Sequence, residues 1–555
     1  MASTGSEVPA EANGNHDHIL RPRPRKPQHS QLSELVREHS NTAANGLLAP
    51  GDGIASGMTS GRSTPIAEDA PDSAKALSSA RKQVRAEQRR RLFPTVDFTS
   101  RVSHFDPTSD YRDFHGFFNL FWIGLAIMAI TTGLRNIKDT GHPLRVQIWT
   151  LFTVKLWHLA IADFLMVAST AVSLPLHRIV RKSQDGMTWK KGGMAVQSIY
   201  QVFWLAFWIA VPFLLKWPWT AQVFLLLHTM VLLMKMHSYA FYNGHLSETE
   251  KRLHDLDNPA TASKAPAYQY PSVENPMGTL AHDGQPHDSD SDGEGVNQLR
   301  EDLARELTSP IGNITYPRNL TWANYFDYIL CPTLCYELEY PRMAAVNWTS
   351  LIAKIVATFG CIFLLTIISE EYILPVLQES HVRIESASSV GDTLLILAET
   401  ISWLLFPFML TFLLVFLVIF EYVLGAFAEI TCFGDRHFYA DWWNSTDWME
   451  FSREWNVPVY SFLRRHVYAT SKPRIGRGMA TLITFLISAI GHEIVMACIT
   501  KKLRGYGFVC QMLQLPLVAL QKTKWVRGRE TANNVVFWCS MIMGLSLICS
   551  LYVLV

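Results

Sequence analysis

Near the C-terminus a histidine and a glutamate stand side by side in the apolar run LITFLISAIGHEIVMACITKK, as His492 and Glu493. A charged side chain at the centre of a bilayer costs roughly 2.5–3.5 kcal/mol on insertion scales, so such groups face a bundle interior or a polar cavity. An apolar surrounding favours the uncharged imidazole, which is the form that accepts a proton. Two readings of a buried His492 stand open on this residue alone: a general base, or a hydrogen bond that joins neighbouring helices. Ser488 lies one turn earlier on the same helical face. Glu493 points about 100° away and is expected to bond a neighbouring helix.

A second stretch, CFGDRHFYADWWNSTDWMEFSREWNVPVYSFLRRHVY, mixes Trp442, Trp443, Trp448 and Trp455 with Asp, Asn, Arg and His. It is too polar for a lipid face and too aromatic for a solvated loop. A ligand with a charged, stackable head and a greasy tail, such as an acyl-CoA, suits that lining. Arg464, Arg465, Lys472, Arg474 and Arg477 follow closely. They suit CoA phosphates, or equally mark a cytosolic flank.

The elements that must position these groups are membrane helices. Charged residues are only 17% of the 555 and hydrophobic ones 49%, well short of the roughly 25% charge of soluble chains. A net charge of +1 argues against a partner whose phosphates must be neutralised, so no nucleic acid is expected. The eight cysteines form no CxxC pair, which makes a zinc site or a disulfide framework unexpected and supports no metal. Crossing a bilayer takes roughly 20 apolar residues. Candidates lie near 114–134, 149–174, 195–215, 219–238, 350–370, 393–425, 478–500, 505–521 and 533–554, about nine spans of an all-α polytopic protein, with 505–521 the shortest. Trp149, Trp217, Trp219, Tyr372, Trp525 and Trp538 near their ends fit interfacial belts.

No signal peptide opens the chain, and 1–80 reads as disordered. The basic cluster from Arg81 to Arg91 predicts a cytosolic N-terminus. The expected organisation is a disordered region 1–92, four spans in 93–244, a disordered acidic loop over 245–310, and the remaining spans with the catalytic core in 311–555. On that topology 239–349 is cytosolic, NQLREDLARELTSP forms a short helix, and NYFDYILCPTLCYELEYPR contains an interfacial one. The sequons at Asn313, Asn319 and Asn347 then lie in the wrong compartment for glycosylation. Lys501, Lys502 and Arg504 fall on the lumenal side, against the usual bias.

Phe438 to Asn444, FYADWWN, resembles the FYxDWWN motif of the sterol and diacylglycerol branch of the membrane-bound O-acyltransferase family. The downstream Trp455–Asn456 pair and the intramembrane His492–Glu493 pair stand where that family has them. DFHGFFNLFW, MKMHSYAFYNG, YELEYPR and EWNVPVYSFLRRHVY are similar to the fungal sterol acyltransferases. The resemblance implies His492 as catalytic base, with Asn456 assisting it by holding the imidazole or stabilising the oxyanion. It also implies an acyl-CoA site lined by Phe438, Tyr439, Asp441, Trp442, Trp443 and Asn444. One departure is Tyr460, where relatives carry a histidine four residues after the asparagine. A second is Gly544-Leu545-Ser546, where diacylglycerol enzymes resemble GQP, which favours the sterol branch. The implied activity is acyl transfer from a long-chain acyl-CoA to a sterol hydroxyl in the endoplasmic reticulum membrane, with acyl-CoA a substrate and no cofactor. The implied assembly is a dimer or tetramer. The alternatives are a diacylglycerol acyltransferase or, from another class, a transporter in which Asp163, Glu399 and Lys155 mark an ion path.

Overall fold

The computed structural model describes residues 94, 96–106, 109, 115–143, 155–183, 187–257, 291–310, 312–524, 526 and 528–554. The expected N-terminal disorder, the basic cluster, Trp149, Trp525 and the acidic centre of the long loop lie outside them. Among the described residues the regular structure is helical, with three isolated β-bridges and no named strand. Apolar runs fold this way because a helix satisfies every backbone donor and acceptor within one segment, which a bilayer demands.

Among the described residues, eight helices are long and apolar enough to cross a membrane: Gly116–Thr140, Leu156–Lys182, Trp189–Leu214, Thr220–Leu256, Trp348–Glu385, Val390–Ile430, Val457–Thr500 and Glu530–Leu554. The short candidate at 505–521 folds as two helices, Tyr506–Met512 and Gln514–Gln521. Their contacts fix their ends at opposite levels. Gly507 N–H donates to the Tyr552 hydroxyl at 3.0 Å, near the end of the last span. The Gln521 side chain accepts from Trp448 N at 3.2 Å, in the loop that also touches Asn534 and Trp538 near that span's start. The broken segment therefore runs alongside the last helix between these two levels.

The spans are not uniform cylinders. Short π turns interrupt the fifth, sixth and seventh, at Ser369–Ile373, Leu417–Val423 and Leu463–Tyr468. The seventh also kinks where Gly476 adopts φ 78° and ψ 172°, a conformation that a side chain disfavours.

The region expected to be disordered over 245–310 is helical at both ends, at the second as expected for NQLREDLARELTSP. The fourth helix continues to Asp257, and a separate helix covers Ser291–Glu306. Leu246 and Leu253, one heptad apart, are buried in the same cluster as Leu303, Ala304 and Leu307, and that apolar surface overrides the local acidity. The expected interfacial helix forms at Trp322–Leu330, leaving Trp322, Phe326 and Leu330 exposed along one side at four-residue spacing. Asn319 is buried and donates to Asn243 and Tyr336, and Asn347 caps the fifth span, so both sequon amides have structural work. Trp217, expected in an interfacial belt, is instead packed in the core, because the chain turns inward at Trp217–Pro218.

Candidate functional site

The FYADWWN segment leaves the sixth span and folds back over it. Phe438, Tyr439 and Trp442 are fully buried, whereas Asp441, Trp443 and Asn444 keep accessible surface. The first three are thus packing groups rather than an exposed lining. Trp442 is ringed by Trp455 at 4.8 Å, Phe416 at 5.0 Å, and Phe412 and Trp538 at 5.5 Å. Phe412 and Trp455 stack at 4.5 Å. Such pairs join a loop to its neighbours beyond simple burial. Asn534 and Trp538 of the last span donate to the Trp443 carbonyl, Trp538 at 3.1 Å, which gives Trp538 a structural role in place of the expected belt position.

Tyr439 is held by a residue that the sequence reading passed over. Its hydroxyl donates to Glu421 Oε2 at 3.0 Å, and Ser103 Oγ donates to the same oxygen. Lys354 Nζ lies 3.6 Å from the other oxygen. Glu421 is buried within the π turn of the sixth span. The available signal was a carboxylate inside the apolar run LVFLVIFEYVLGAF. Beside the motif, burial first and then Arg101 and His104 push His437 down to about 4, so the ring is neutral at pH 7. Burial, followed by Glu450 and Asp441, pushes the Glu454 carboxyl up to about 7.

Motif and asparagine are joined directly, because Val457 N donates to the Phe438 carbonyl at 3.0 Å. Asn456 caps the helix that opens the seventh span: its Oδ1 accepts from Val459 N at 3.1 Å. That bond fixes the amide orientation and leaves Nδ2 as the outward group, a donor. Tyr460 lies in the first turn of this helix, its amide bonded to the Asn456 carbonyl at 2.9 Å.

His492 and Glu493 divide the two faces of their helix as the 100° step requires. Glu493 is buried and bonds across to neighbouring elements. It accepts from Gly505 N at 2.8 Å, Phe508 N at 3.0 Å and the Tyr552 hydroxyl at 2.7 Å. His492, expected to be buried, has an accessible side chain, on the side of its helix that carries Phe485, Ser488, Ala489 and Met496, of which Phe485 and Ala489 are buried. His492 Nδ1 lies 2.7 Å from the main-chain oxygen of Ser488. A carbonyl only accepts, so Nδ1 carries the proton and Nε2 presents a lone pair. Ser488 thus meets His492 through its backbone, not its hydroxyl. Among the described residues no hydrogen bond joins Asn456 to His492. No cluster of histidines, cysteines or carboxylates able to hold a metal occurs among them either.

Each ionisable residue that suggested an ion path has a local partner. Glu399 pairs with Arg383 at 2.6 Å, Lys155 donates to the Leu215 carbonyl at 3.4 Å, and Asp163 meets His228 at 2.6 Å.

A model of the membrane-bound O-acyltransferase family matches residues 184–554. A probable sterol O-acyltransferase 2 of Schizosaccharomyces pombe is 39% identical over 445 residues, 80% of this chain and 87% of that protein. Sterol O-acyltransferase 2 of Saccharomyces cerevisiae is 34% identical over 467 residues, 83% of this chain and 69% of that protein. Diacylglycerol O-acyltransferase 1 of Dictyostelium discoideum is 34% identical over 256 residues, 46% of this chain and 40% of that protein.

Proposed function

From the premise that the chain belongs to the membrane-bound O-acyltransferase family, we propose that it esterifies a membrane sterol with the acyl group of a long-chain acyl-CoA. The observation that carries this reading is the extent of similarity. Relatives named as sterol acyltransferases align over about four fifths of the chain, whereas the diacylglycerol enzyme aligns over less than half. The geometry around His492 supports the chemistry.

His492 Nε2 takes the proton of the sterol hydroxyl while its oxygen attacks the thioester carbonyl. The tetrahedral oxyanion accepts from Asn456 Nδ2, the amide edge that its capping bond leaves available. Collapse breaks the C–S bond, and the imidazolium returns its proton to the departing CoA sulfur. The new C–O bond is the sterol ester, and no acyl-enzyme or cofactor enters. Asp441, Trp443 and Asn444 supply the accessible side of the motif toward acyl-CoA, while Phe438, Tyr439 and Trp442 hold it in place. Tyr460 remains a hydrogen-bonding supplement to Asn456.

We assign the protein to the endoplasmic reticulum membrane with a cytosolic N-terminus, and to a homo-oligomer testable by cross-linking in membranes. The decisive assay supplies labelled acyl-CoA with sterol and diacylglycerol in parallel, in a host that makes no neutral lipid. Sterol ester is the expected product, abolished in His492→Ala at unchanged expression. Triacylglycerol in place of sterol ester would make the diacylglycerol reading correct, and retained activity in His492→Ala would remove the base.

A further inference from the structure

Asp163 lies on the second span and His228 on the fourth, outside the elements that carry His492 and the FYADWWN motif. His228 Nδ1 and Asp163 Oδ1 are 2.6 Å apart. Asp163 is seven residues beyond the start of its span at Leu156, and His228 is eight beyond Thr220. At 1.5 Å per residue both sit about 10–12 Å along their helices. The pair is therefore level, at the end of the bundle opposite the cytosolic ends of the two spans.

The surroundings divide sharply. On one side Ala162, Met166, Leu225 and Leu232 are buried in the seam between the helices, and Thr229 Oγ donates to the Leu225 carbonyl within that seam. On the other side Phe164, Leu165, Phe224 and Leu227 are exposed apolar side chains. The pair lies at this rim with the His228 side chain 31% and the Asp163 side chain 25% accessible. A carboxylate and an imidazole at such a rim face hydrocarbon, where water does not supply the missing hydrogen bonds. Nδ1 is engaged with Asp163 Oδ1, which leaves Nε2 as an acceptor when the ring is neutral. Such an acceptor takes a hydroxyl proton. A charged headgroup is excluded at this depth by desolvation, whereas an uncharged lipid bearing one hydroxyl on a rigid apolar body is not.

We propose that the Asp163–His228 pair is a docking point for the hydroxyl of a membrane sterol, outside the catalytic centre and on its lateral route from the bilayer. This assignment rests on the sterol reading of the enzyme. The exposed rings and aliphatic chains of Phe224, Leu227 and Phe164 provide the apolar contact for the sterol body. The docking point selects the alcohol substrate and leaves the thioester side untouched.

The test uses the full-length protein in lipid nanodiscs with a photoreactive, diazirine-bearing sterol. Replacing both residues together, Asp163→Leu with His228→Leu, removes the polar pair without leaving one partner unpaired. Labelling of peptides from 156–182 and 219–257 is expected to fall. The KM for sterol should rise about five- to tenfold, the ratio that one hydrogen bond commands. KM for acyl-CoA and kcat at saturating sterol should stay within about twofold of wild type. Asp163→Leu with His228→Phe, which keeps a ring at 228 and likewise removes the acceptors, is measured alongside and replaces the leucine pair if that one does not fold. Unchanged labelling and unchanged sterol KM would overturn the proposal. So would a parallel loss of both KM values and kcat, which a purely structural clamp would give. Equal competition for the label by diacylglycerol would overturn the sterol assignment. A wild-type protein that takes the label but forms no sterol ester would instead fail the proposed function and leave the docking site standing.

Discussion

At the scale of single residues, two backbone-anchored bonds decide what the proposed catalytic pair of His492 and Asn456 can do. His492 draws its tautomer from the Ser488 carbonyl, so the identity of residue 488 is secondary. Ser488→Ala should therefore keep kcat within about twofold, since a side-chain change leaves the main-chain acceptor in place. A large loss measured in microsomes would mean that the hydroxyl itself acts. Asn456 allows a sharper experiment. The carboxylate introduced by Asn456→Asp still accepts from Val459 N and preserves the cap, but it has no N–H for the oxyanion. The expected outcome is an unaltered melting temperature with kcat lowered roughly 10²–10³-fold, the scale of one lost oxyanion donor. Near-normal turnover in that variant would exclude Asn456 as the donor. The resemblance left open whether this asparagine holds the histidine or the oxyanion, because sequence does not show which amide edge a cap consumes.

At the scale of elements, the motif loop is placed by groups that recognise no ligand. Glu421 gathers Ser103, Lys354 and Tyr439 from three separate segments onto one carboxylate at a π turn. Glu421→Leu leaves Lys354 without its carboxylate and releases Tyr439, so both thermal stability and acyl-CoA affinity should drop. Tyr439→Phe removes one donor from that carboxylate and should cost about 1 kcal/mol in a denaturation assay. Equal effects of the two variants would argue against the carboxylate as the hub. Glu454, at the end of Trp448–Glu454 beside the motif, gives a pH test outside the spans. Its folded carboxyl titrates near 7, above the ordinary value of 4.5, so folding favours the protonated form. The stability it contributes is complete below 4.5 and is lost as pH rises through 7. Glu454→Gln should accordingly raise the melting temperature more at about pH 8 than at about pH 6. A gain that is constant across that interval would place the raised pKa elsewhere.

At the scale of the whole molecule, what was legible in the sequence followed from the bilayer's demands on composition. Long apolar runs marked the spans, and Glu493 was assigned to a neighbouring helix from a rotation of about 100° alone. That His492 keeps an accessible side chain beside the buried Phe485 and Ala489 was not legible, because only tertiary structure shows it. The helix at the far end of 245–310 was legible in NQLREDLARELTSP, but the acidity there did not reveal that the fourth helix would continue through Leu246 and Leu253 to Asp257. The broken eighth segment was visible merely as a shortfall in length, and its route matters most for topology. Gly505 and Phe508 reach Glu493, while Gln521 reaches the motif helix at Trp448. If that segment crosses, the basic residues Lys522, Lys524 and Arg529 lie on the same side as the motif. A cytosolic motif then puts these cations where the positive-inside rule places them, and sends the end of the last span to the lumen. The same route leaves Lys501, Lys502 and Arg504 lumenal, where short loops seldom carry such charge. Single cysteines introduced at Thr523 and at Lys502, in a background lacking native cysteines, separate the alternatives. An impermeant thiol reagent applied to sealed microsomes should label position 523 and spare position 502. Labelling of neither would mean that the two short helices form a re-entrant hairpin and that the last span runs the other way.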